Sequence, residues 1–177
     1  MGAGTATSSV AAAVDIRVCA ANQAMKITEI LSPEMILPEL RGTTKSEVLA
    51  ELAACLCTAH KEVTPTQVAA VLSERENLGS TAIGDGIAIP HGKLKGLTQI
   101  LGVFGRSRQG VDFNSLDGQP SHLFFLLVAP EDSASLHLKA LARVSRLLRD
   151  PNFRSRLMEA RERDELFALI CEEDSKY

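Results

Sequence analysis

The chain has little of what nucleic-acid-binding and membrane-spanning proteins need. It contains no tryptophan and one tyrosine, and its formal net charge is -3 over 177 residues. No basic surface with interleaved aromatic residues is therefore expected for phosphate backbones and stacked bases. The longest strongly apolar run, Leu123–Val128, is far shorter than the roughly 18 residues of a membrane-spanning helix. We expect no nucleic-acid partner and no membrane insertion.

Cysteines are also sparse, and their spacing does not indicate a metal site or a redox motif. No CxxC pair occurs, which is typical of reduced thiols in a cytoplasmic protein. The four cysteines are Cys19, Cys55, Cys57 and Cys171. The histidines show no metal-site spacing such as HExxH, so we expect neither a metal nor a cofactor. The four histidines are His60, His91, His122 and His137.

The N-terminal segment differs in composition from the rest of the chain. Residues 1–24 are rich in Ala, Ser and Thr, and Asp15 and Arg17 interrupt their apolar stretch. No basic region leads them, as it would in a signal peptide. We expect residues 1–24 to be a disordered extension and residues 25–173 to form a single domain.

Two predicted helices begin with the sequence pattern of a capping box. Thr44 is followed three residues later by Glu47, and an apolar pattern of helical period continues to Ala59. Thr64 is followed by a proline at the first helical position and by Gln67. The sequence predicts helices from about Thr44 to Ala59 and from Thr64 towards residue 77.

The second half of the chain alternates buried strands with helices. Apolar runs predict strands at Ile100–Phe104 and Leu123–Val128, with a short extended piece at Val111–Phe113 between turns. Three further helices are predicted: from Asp132, Ser133 or Ser135 to Leu148, from Asp150 and Pro151 onwards, and over Asp164–Cys171. This order predicts an α/β fold, a single domain with a mixed β-sheet flanked by helices on both faces.

A glycine-rich stretch, GSTAIGDGIAIPHGK, covers Gly79–Lys93. A nucleotide-binding P-loop has four residues between its first glycine and Gly-Lys-Ser/Thr, whereas five separate Gly86 from Gly92 and Leu94 follows the lysine. The dinucleotide fingerprint GxGxxG also fails, because Ile89 occupies the place of its third glycine. No GxSxG nucleophile elbow occurs.

The chemistry that remains for this stretch is nucleophilic attack by a histidine. A neutral imidazole has one unprotonated nitrogen, which can attack a phosphoryl group and form a phosphohistidine. Glycines would let backbone amides approach phosphoryl oxygens, and Pro90 would fix the backbone before His91. Spacing alone leaves an incidental histidine in a tight connection equally open. The candidate loop residues are Gly79, Ser80, Thr81, Gly84, Gly86, Pro90 and Gly92.

Two further residues could complete such a site. His137 shares a helical face with Leu141 and Val144 and so points inward, although an inward histidine is most often a core residue. Arg75 precedes the glycine stretch at the end of the second predicted helix, where a guanidinium can pair with phosphate oxygens. An arginine at such a place is most often an exposed surface charge.

The segment RENLGSTAIGDGIAIPHGK, Arg75–Lys93, resembles the active-site signature of the phosphotransferase system (PTS) enzyme IIA family of the fructose/mannitol type. The likeness is strongest to the nitrogen-regulatory branch of that family. Later segments follow in the order and approximate spacing of the family, and the resemblance covers about residues 25–171. These segments are Gly110–Phe113, Leu116–Pro120, Leu123–Pro130 and His137–Leu138.

The resemblance implies roles for three residues. His91 would be the phosphorylated residue, through Nε2, while His137 would sit against it and Arg75 would flank the phosphohistidine. The phosphoryl group would pass from phosphoenolpyruvate through enzyme I and a small histidine-containing phosphocarrier protein. The chain would be a phosphotransferase, a phosphohistidine phosphoryl carrier that needs no metal or nucleotide.

The resemblance favours a cytoplasmic regulatory switch. Sugar uptake requires a IIB domain and a membrane IIC domain, and we expect neither in this chain. Targets implied by the family are potassium-transport components or a sensor kinase. The first alternative is a sugar-uptake enzyme IIA that passes the phosphoryl group to a separate IIB protein.

The second alternative is an interaction module without phosphoryl transfer. It rests on two departures from the family pattern: Ala82 stands where the family usually has glycine, and Asp85 where the nitrogen branch usually has asparagine. A left-handed backbone at Ala82 would be strained. A carboxylate at Asp85 that faced the site would repel a phosphohistidine.

Overall fold

A computed structural model describes residues 25–177, and the predicted extension over residues 1–24 lies outside the described residues. Within the described part, five α-helices and six strands follow two short 3-10 helices, Ile27–Glu29 and Pro33–Met35. The helices are α1 (Lys45–Ala59), α2 (Pro65–Asn77), α3 (Ala134–Leu147), α4 (Pro151–Glu159) and α5 (Arg163–Asp174). The strands are β1 (Ile36–Leu37), β2 (Ala82–Gly84), β3 (Ile87–Ala88), β4 (His91–Leu94), β5 (Leu101–Val111) and β6 (Ser121–Pro130).

Helices α1 and α2 begin at the predicted capping boxes. The Thr44 hydroxyl accepts a hydrogen bond from the Glu47 amide at 3.3 Å, and the Glu47 carboxylate accepts one from the Thr44 amide at 3.1 Å. Thr64 and Gln67 form the same reciprocal pair at the start of α2. Each box satisfies amides that have no partner within the first helical turn, so both predicted starts are confirmed.

The later helices also lie where their start signals placed them. Helix α3 is preceded by Ser133, one of the three predicted starting residues. Helix α4 begins at Pro151, and the preceding Asp150 side chain accepts a hydrogen bond from the Asn152 amide at 2.9 Å. Helix α5 begins at Arg163 and ends at Asp174, so it is longer than predicted at both ends. The later end was missed because the last turn buries acidic side chains, Glu173 and Asp174, that the apolar pattern does not mark.

The strands form one mixed sheet in the order β1-β5-β6-β3-β2, with β4 also paired to β6. Strands β5 and β6 are antiparallel, whereas β3 and β4 run parallel to β6. The register places His91 opposite Leu127 and Ile87 opposite Leu123. Strand β6 is therefore the scaffold of the glycine-rich stretch, and it is buried along almost its whole length, as its continuous apolar run predicts.

Strand β5 differs from the prediction. It extends to Val111 instead of ending at Phe104, so a separate extended piece at Val111–Phe113 is wrong. The reason is Arg106, which is fully buried and keeps the strand in the core although it interrupts the apolar run. Its Nη1 donates to the carbonyls of Leu157 and Ala160 at 2.6 Å each, which offsets part of the cost of burying the charge, while its Nη2 is buried without a hydrogen-bond partner among the described residues.

Helices cover both faces of the sheet at β4. On one face α2 packs so closely that a Cβ added to Gly92 would lie 2.4 Å from Cγ1 of Val71. His91 is one residue earlier and therefore faces the opposite side, where α3 brings His137 to a ring-centroid distance of 5.4 Å. The predicted α/β architecture, a mixed sheet with helices on both faces, is confirmed.

The thiols of Cys55, Cys57 and Cys171 are unpaired, and Cys19 lies outside the described residues. Burial raises the pKa of the Cys55 thiol above its ordinary value, so this thiol is protonated at neutral pH. Within residues 25–177, no helix combines the length and the apolar character needed to cross a membrane.

Candidate active site

The imidazole of His91 is held from both sides. Its Nδ1 lies 2.7 Å from the Ile89 carbonyl oxygen, and a carbonyl can only accept, so Nδ1 carries the proton. Its Nε2 lies 3.2 Å from Nε of Arg75, and a guanidinium can only donate, so Nε2 keeps its lone pair. These two contacts select the tautomer in which Nε2 is the free nucleophile.

The surroundings also keep His91 neutral. Burial lowers the pKa of His91 below its ordinary value, and the positive charge of Arg75 lowers it further. The Ile89 hydrogen bond and the carboxylate of Glu76 act in the opposite direction, but they do not outweigh burial. A histidine with a pKa below 6.5 is mostly neutral at pH 7, which is the state that can attack phosphorus.

Arg75 is fixed at the end of α2. Its Nη1 donates to the Gly79 carbonyl at 3.0 Å, so the guanidinium stays beside His91 when the contact to Nε2 is broken. A planar guanidinium presents several donors in fixed directions, which suits the oxygens of a phosphoryl group. Arg75 therefore contacts Nε2 of His91 and also presents donors of the kind that bind phosphoryl oxygens.

Glu76, the next residue, stabilises this end of α2 through its hydrogen bonds. Its buried carboxylate accepts hydrogen bonds from the Thr81 amide at 3.1 Å, the Thr81 hydroxyl at 2.6 Å and the Lys45 ammonium at 2.9 Å. Burial alone would raise the pKa of Glu76, but the hydrogen bonds from Thr81 and Lys45 outweigh it, so the pKa is lowered. The charged carboxylate ties α2 to α1 and to the start of β2. Sequence reasoning missed this residue because a single glutamate late in a helix carries no signal of burial.

His137 faces His91 from α3. It is 7% exposed, and its Nδ1 is buried without a hydrogen-bond partner among the described residues. Burial lowers the pKa of His137 to about 4, and the charges of His91 and Lys93 contribute. His137 is thus a neutral imidazole packed against the ring of His91.

The three candidate catalytic residues meet in one open cavity of about 480 Å³. Of the seven candidate loop residues, Gly92 alone is among its lining residues. Lys93, which sequence reasoning did not single out, also lines it; the signal available was its position two residues after His91. The lining residues are Val71, Glu74, Arg75, Leu78, His91, Gly92, Lys93 and His137.

The other loop glycines have a conformational role. Gly84, Asp85 and Gly86 have φ values of 92°, 54° and 76°, so three consecutive left-handed residues make the turn between β2 and β3. Glycine adopts this backbone without strain, and aspartate tolerates it better than most residues. The hydroxyls of Ser80 and Thr81 have partners within the protein, since they donate to the Phe113 carbonyl at 2.5 Å and to Glu76 at 2.6 Å.

Neither departure from the family pattern disturbs the cavity. Ala82 lies in β2 and is not among the residues with positive φ, so it carries no left-handed strain. The Asp85 side chain is 76% exposed and lies 3.9 Å from Arg154, in a separate groove away from His91. The expected strain and the expected repulsion are both absent.

Comparison with known proteins assigns the family. The model of the family described as "Phosphoenolpyruvate-dependent sugar phosphotransferase system, EIIA 2" matches residues 29–173. The chain belongs to this EIIA 2 family. Among residues 25–177, no three His, Cys, Asp or Glu side chains lie close enough together to hold a metal ion.

Individual relatives carry two kinds of name. A nitrogen regulatory protein of Bradyrhizobium diazoefficiens is 46% identical over 149 residues, which cover 83% of this chain and 95% of that protein. The fructose-specific EIIABC component of Bacillus subtilis is 39% identical over 85% of this chain but only 24% of its own length. The crystal structure of nitrogen regulatory protein IIA-Ntr from Neisseria meningitidis has a TM-score of 0.75 at 32% identity, covering 81% of this chain and 98% of that one. These EIIA 2 relatives support a role as a phosphoryl carrier with a regulatory output.

Proposed function

We propose that this chain accepts a phosphoryl group on Nε2 of His91 from a histidine-containing phosphocarrier protein, which enzyme I charges from phosphoenolpyruvate. One observation carries the proposal: Nε2 is unprotonated, with the Nδ1 proton held 2.7 Å from the Ile89 carbonyl and a guanidinium 3.2 Å from the attacking nitrogen. Because phosphoenolpyruvate is a cytoplasmic metabolite, we place the protein in the cytoplasm.

The transfer needs no proton movement. The Nε2 lone pair forms a bond to phosphorus, the donor's nitrogen–phosphorus bond breaks, and the donor nitrogen keeps that electron pair. The ring of His91 then carries positive charge, which the Ile89 carbonyl stabilises through the Nδ1 proton. Arg75 moves its Nε donor from the nitrogen to a phosphoryl oxygen while Gly79 keeps it in place. Rate enhancement rests on alignment and on donors already aimed at the transferred group.

The proposed output is binding that depends on the phosphorylation state. A phosphorylated side chain carries about 1.5 to 2 negative charges at pH 7, and here it would stand in the cavity that Leu78 lines, an apolar side chain that is 84% exposed. A target that docks through Leu78 must desolvate that charge, so it prefers the unmodified protein. The 46% identity to a nitrogen regulatory protein supports this reading, and we propose potassium-transport components or a sensor kinase as target classes.

The first experiment is intact mass after incubation with phosphoenolpyruvate, enzyme I and the phosphocarrier. The wild type should gain one acid-labile phosphoryl group, and His91→Ala should gain none. His60→Ala is the matched control, because His60 pairs with Glu62 on another part of the surface, and it should be labelled like the wild type. Absence of any adduct on folded wild type would refute the proposal.

A sugar-uptake role is the second candidate, favoured by the 39% identity to the fructose-specific component. Phosphorylated protein mixed with a fructose-type IIB protein separates the two roles: passage of the phosphoryl group to IIB indicates uptake, and retention indicates regulation. For the regulatory role, His91→Asp should change the affinity for the target, because it places a negative charge beside the apolar surface. Equal affinity of this variant and the unmodified protein would contradict a charge-driven switch.

A further inference from the structure

We propose that Lys93 is a further catalytic residue, whose ammonium group contacts the oxygens of the phosphoryl group on His91. The inference rests on the proposed function. Alternate residues of a strand share a face, and His91 and Lys93 are the first and third residues of β4. Gly92 and Leu94, between and after them, are buried, whereas His91 is half-buried and Lys93 is exposed. Strand geometry therefore places the lysine on the side of the sheet that the nucleophile occupies.

The charge of Lys93 is available to a ligand in the cavity. Its side chain lines the same cavity as those of Arg75 and His137, and it takes part in no ion pair within residues 25–177. Glu74 is the one carboxylate among the described lining residues, and it too forms no ion pair there. The ammonium group also lowers the pKa of His137, so its field reaches the ring that packs on His91.

The negative charge of a phosphoryl group exceeds the single positive charge of Arg75, so a second cation in the cavity would stabilise it further. The phosphoryl group brings about 1.5 to 2 negative charges, and Arg75 supplies one positive charge. Lys93 supplies another from a flexible stem, as a point charge that can follow the group between donor and acceptor. Together the two side chains balance the charge that is transferred.

Lys95 provides a matched control. It is also an exposed lysine, it lies in the turn just after β4, and it is not among the residues that line the cavity. A substitution there changes the net charge of the protein by the same amount as one at Lys93. Any difference between the two variants therefore reports position and not total charge.

The test measures the rate of His91 phosphorylation by intact mass for the full chain as wild type, Lys93→Met, Lys93→Arg and Lys95→Met. Two donors are used: the phosphorylated phosphocarrier protein, and phosphoramidate, in which ammonia is the leaving group and no protein surface is present. We expect Lys93→Met to be roughly tenfold slower with both donors and Lys93→Arg to recover most of the rate. The deficit should shrink in 1 M salt, where the screening length falls to about 3 Å.

The outcomes are distinct. Equal rates for Lys93→Met and Lys95→Met with phosphoramidate would overturn the inference and leave the proposed function standing. A deficit with the protein donor alone would also overturn it, because it would assign Lys93 to docking. No labelling of wild-type protein by either donor would remove the proposed function itself. Thermal unfolding of each variant confirms that a slow rate does not arise from lost structure.

Discussion

Acidification from pH 7 to pH 4 should destabilise the folded chain through His137. Burial lowers the pKa of His137 to about 4, with contributions from the charges of His91 and Lys93, whereas its ordinary value is 6.5. Between these values the unfolded chain binds a proton that the folded chain does not. The free energy of unfolding therefore falls as the pH decreases from 6.5 to 4, and this contribution is fully retained above pH 7.

The size of the effect follows from the two proton affinities. Each pKa unit corresponds to about 1.4 kcal/mol, so lowering from 6.5 to about 4 corresponds to about 3 kcal/mol. The conversion is justified because the residue is 7% exposed. Against a typical folding stability of about 5 to 15 kcal/mol, a loss of this size is a substantial fraction of the total.

Urea unfolding at a series of pH values checks this, with His137→Gln as the comparison. The amide fills part of the same space and does not titrate, while every carboxylate titrates in both proteins. Subtracting the two pH profiles therefore isolates His137. The wild type should lose about 3 kcal/mol more than the variant between pH 7 and pH 4. Parallel profiles would refute a buried, neutral His137.

Three further predictions concern neighbouring residues. Because the pKa of His91 is lowered, its phosphorylation rate should fall only at a pH below that at which an ordinary histidine becomes protonated. A decline in rapid-quench assays that follows the titration of a free imidazole would contradict this. Gly92→Ala should lower the free energy of unfolding, measured in urea, by roughly 1 to 3 kcal/mol. Adding Val71→Ala should restore part of that stability, because the new Cβ would collide with the Val71 side chain. Glu76→Gln should lower the free energy of unfolding by roughly 1 to 3 kcal/mol, because it weakens the hydrogen bonds that hold the end of α2. The control Glu74→Gln, at an exposed neighbour, should change it by no more than about 0.5 kcal/mol. Similar losses in both variants would show that burial of Glu76 is not the cause.

Local chemistry made much of the fold predictable. The capping boxes at Thr44 and Thr64 involve partners three residues away, so the sequence contains the whole interaction. Strand β5 was predicted too short because the carbonyls that satisfy Arg106 lie more than 50 residues further along the chain. Contacts between residues so far apart in the sequence cannot be predicted from a local hydrophobic pattern.

The candidate site was predictable in a different way. The motif resemblance brought His91, His137 and Arg75 together, and the structure places them in one cavity. It did not indicate what the glycines do: Gly84 and Gly86 supply left-handed turn backbone away from that cavity. A glycine-rich sequence can either bind phosphoryl oxygens or form a tight turn between strands. The sequence is the same in both cases, so only the three-dimensional structure distinguishes the two roles.

The buried guanidinium of Arg106 limits how the domain can be divided. Besides the α4 carbonyls, it donates to the Pro38 carbonyl at 2.9 Å, so one side chain joins an inner strand to segments from both ends of the domain. A fragment that ends before residue 157 would leave a charge in the core without its acceptors, at a cost of several kcal/mol. A break in the chain between Arg106 and Leu157 would separate this side chain from its acceptors, whereas an insertion in the turn at Leu116, which is 99% exposed, keeps the chain continuous and should be tolerated.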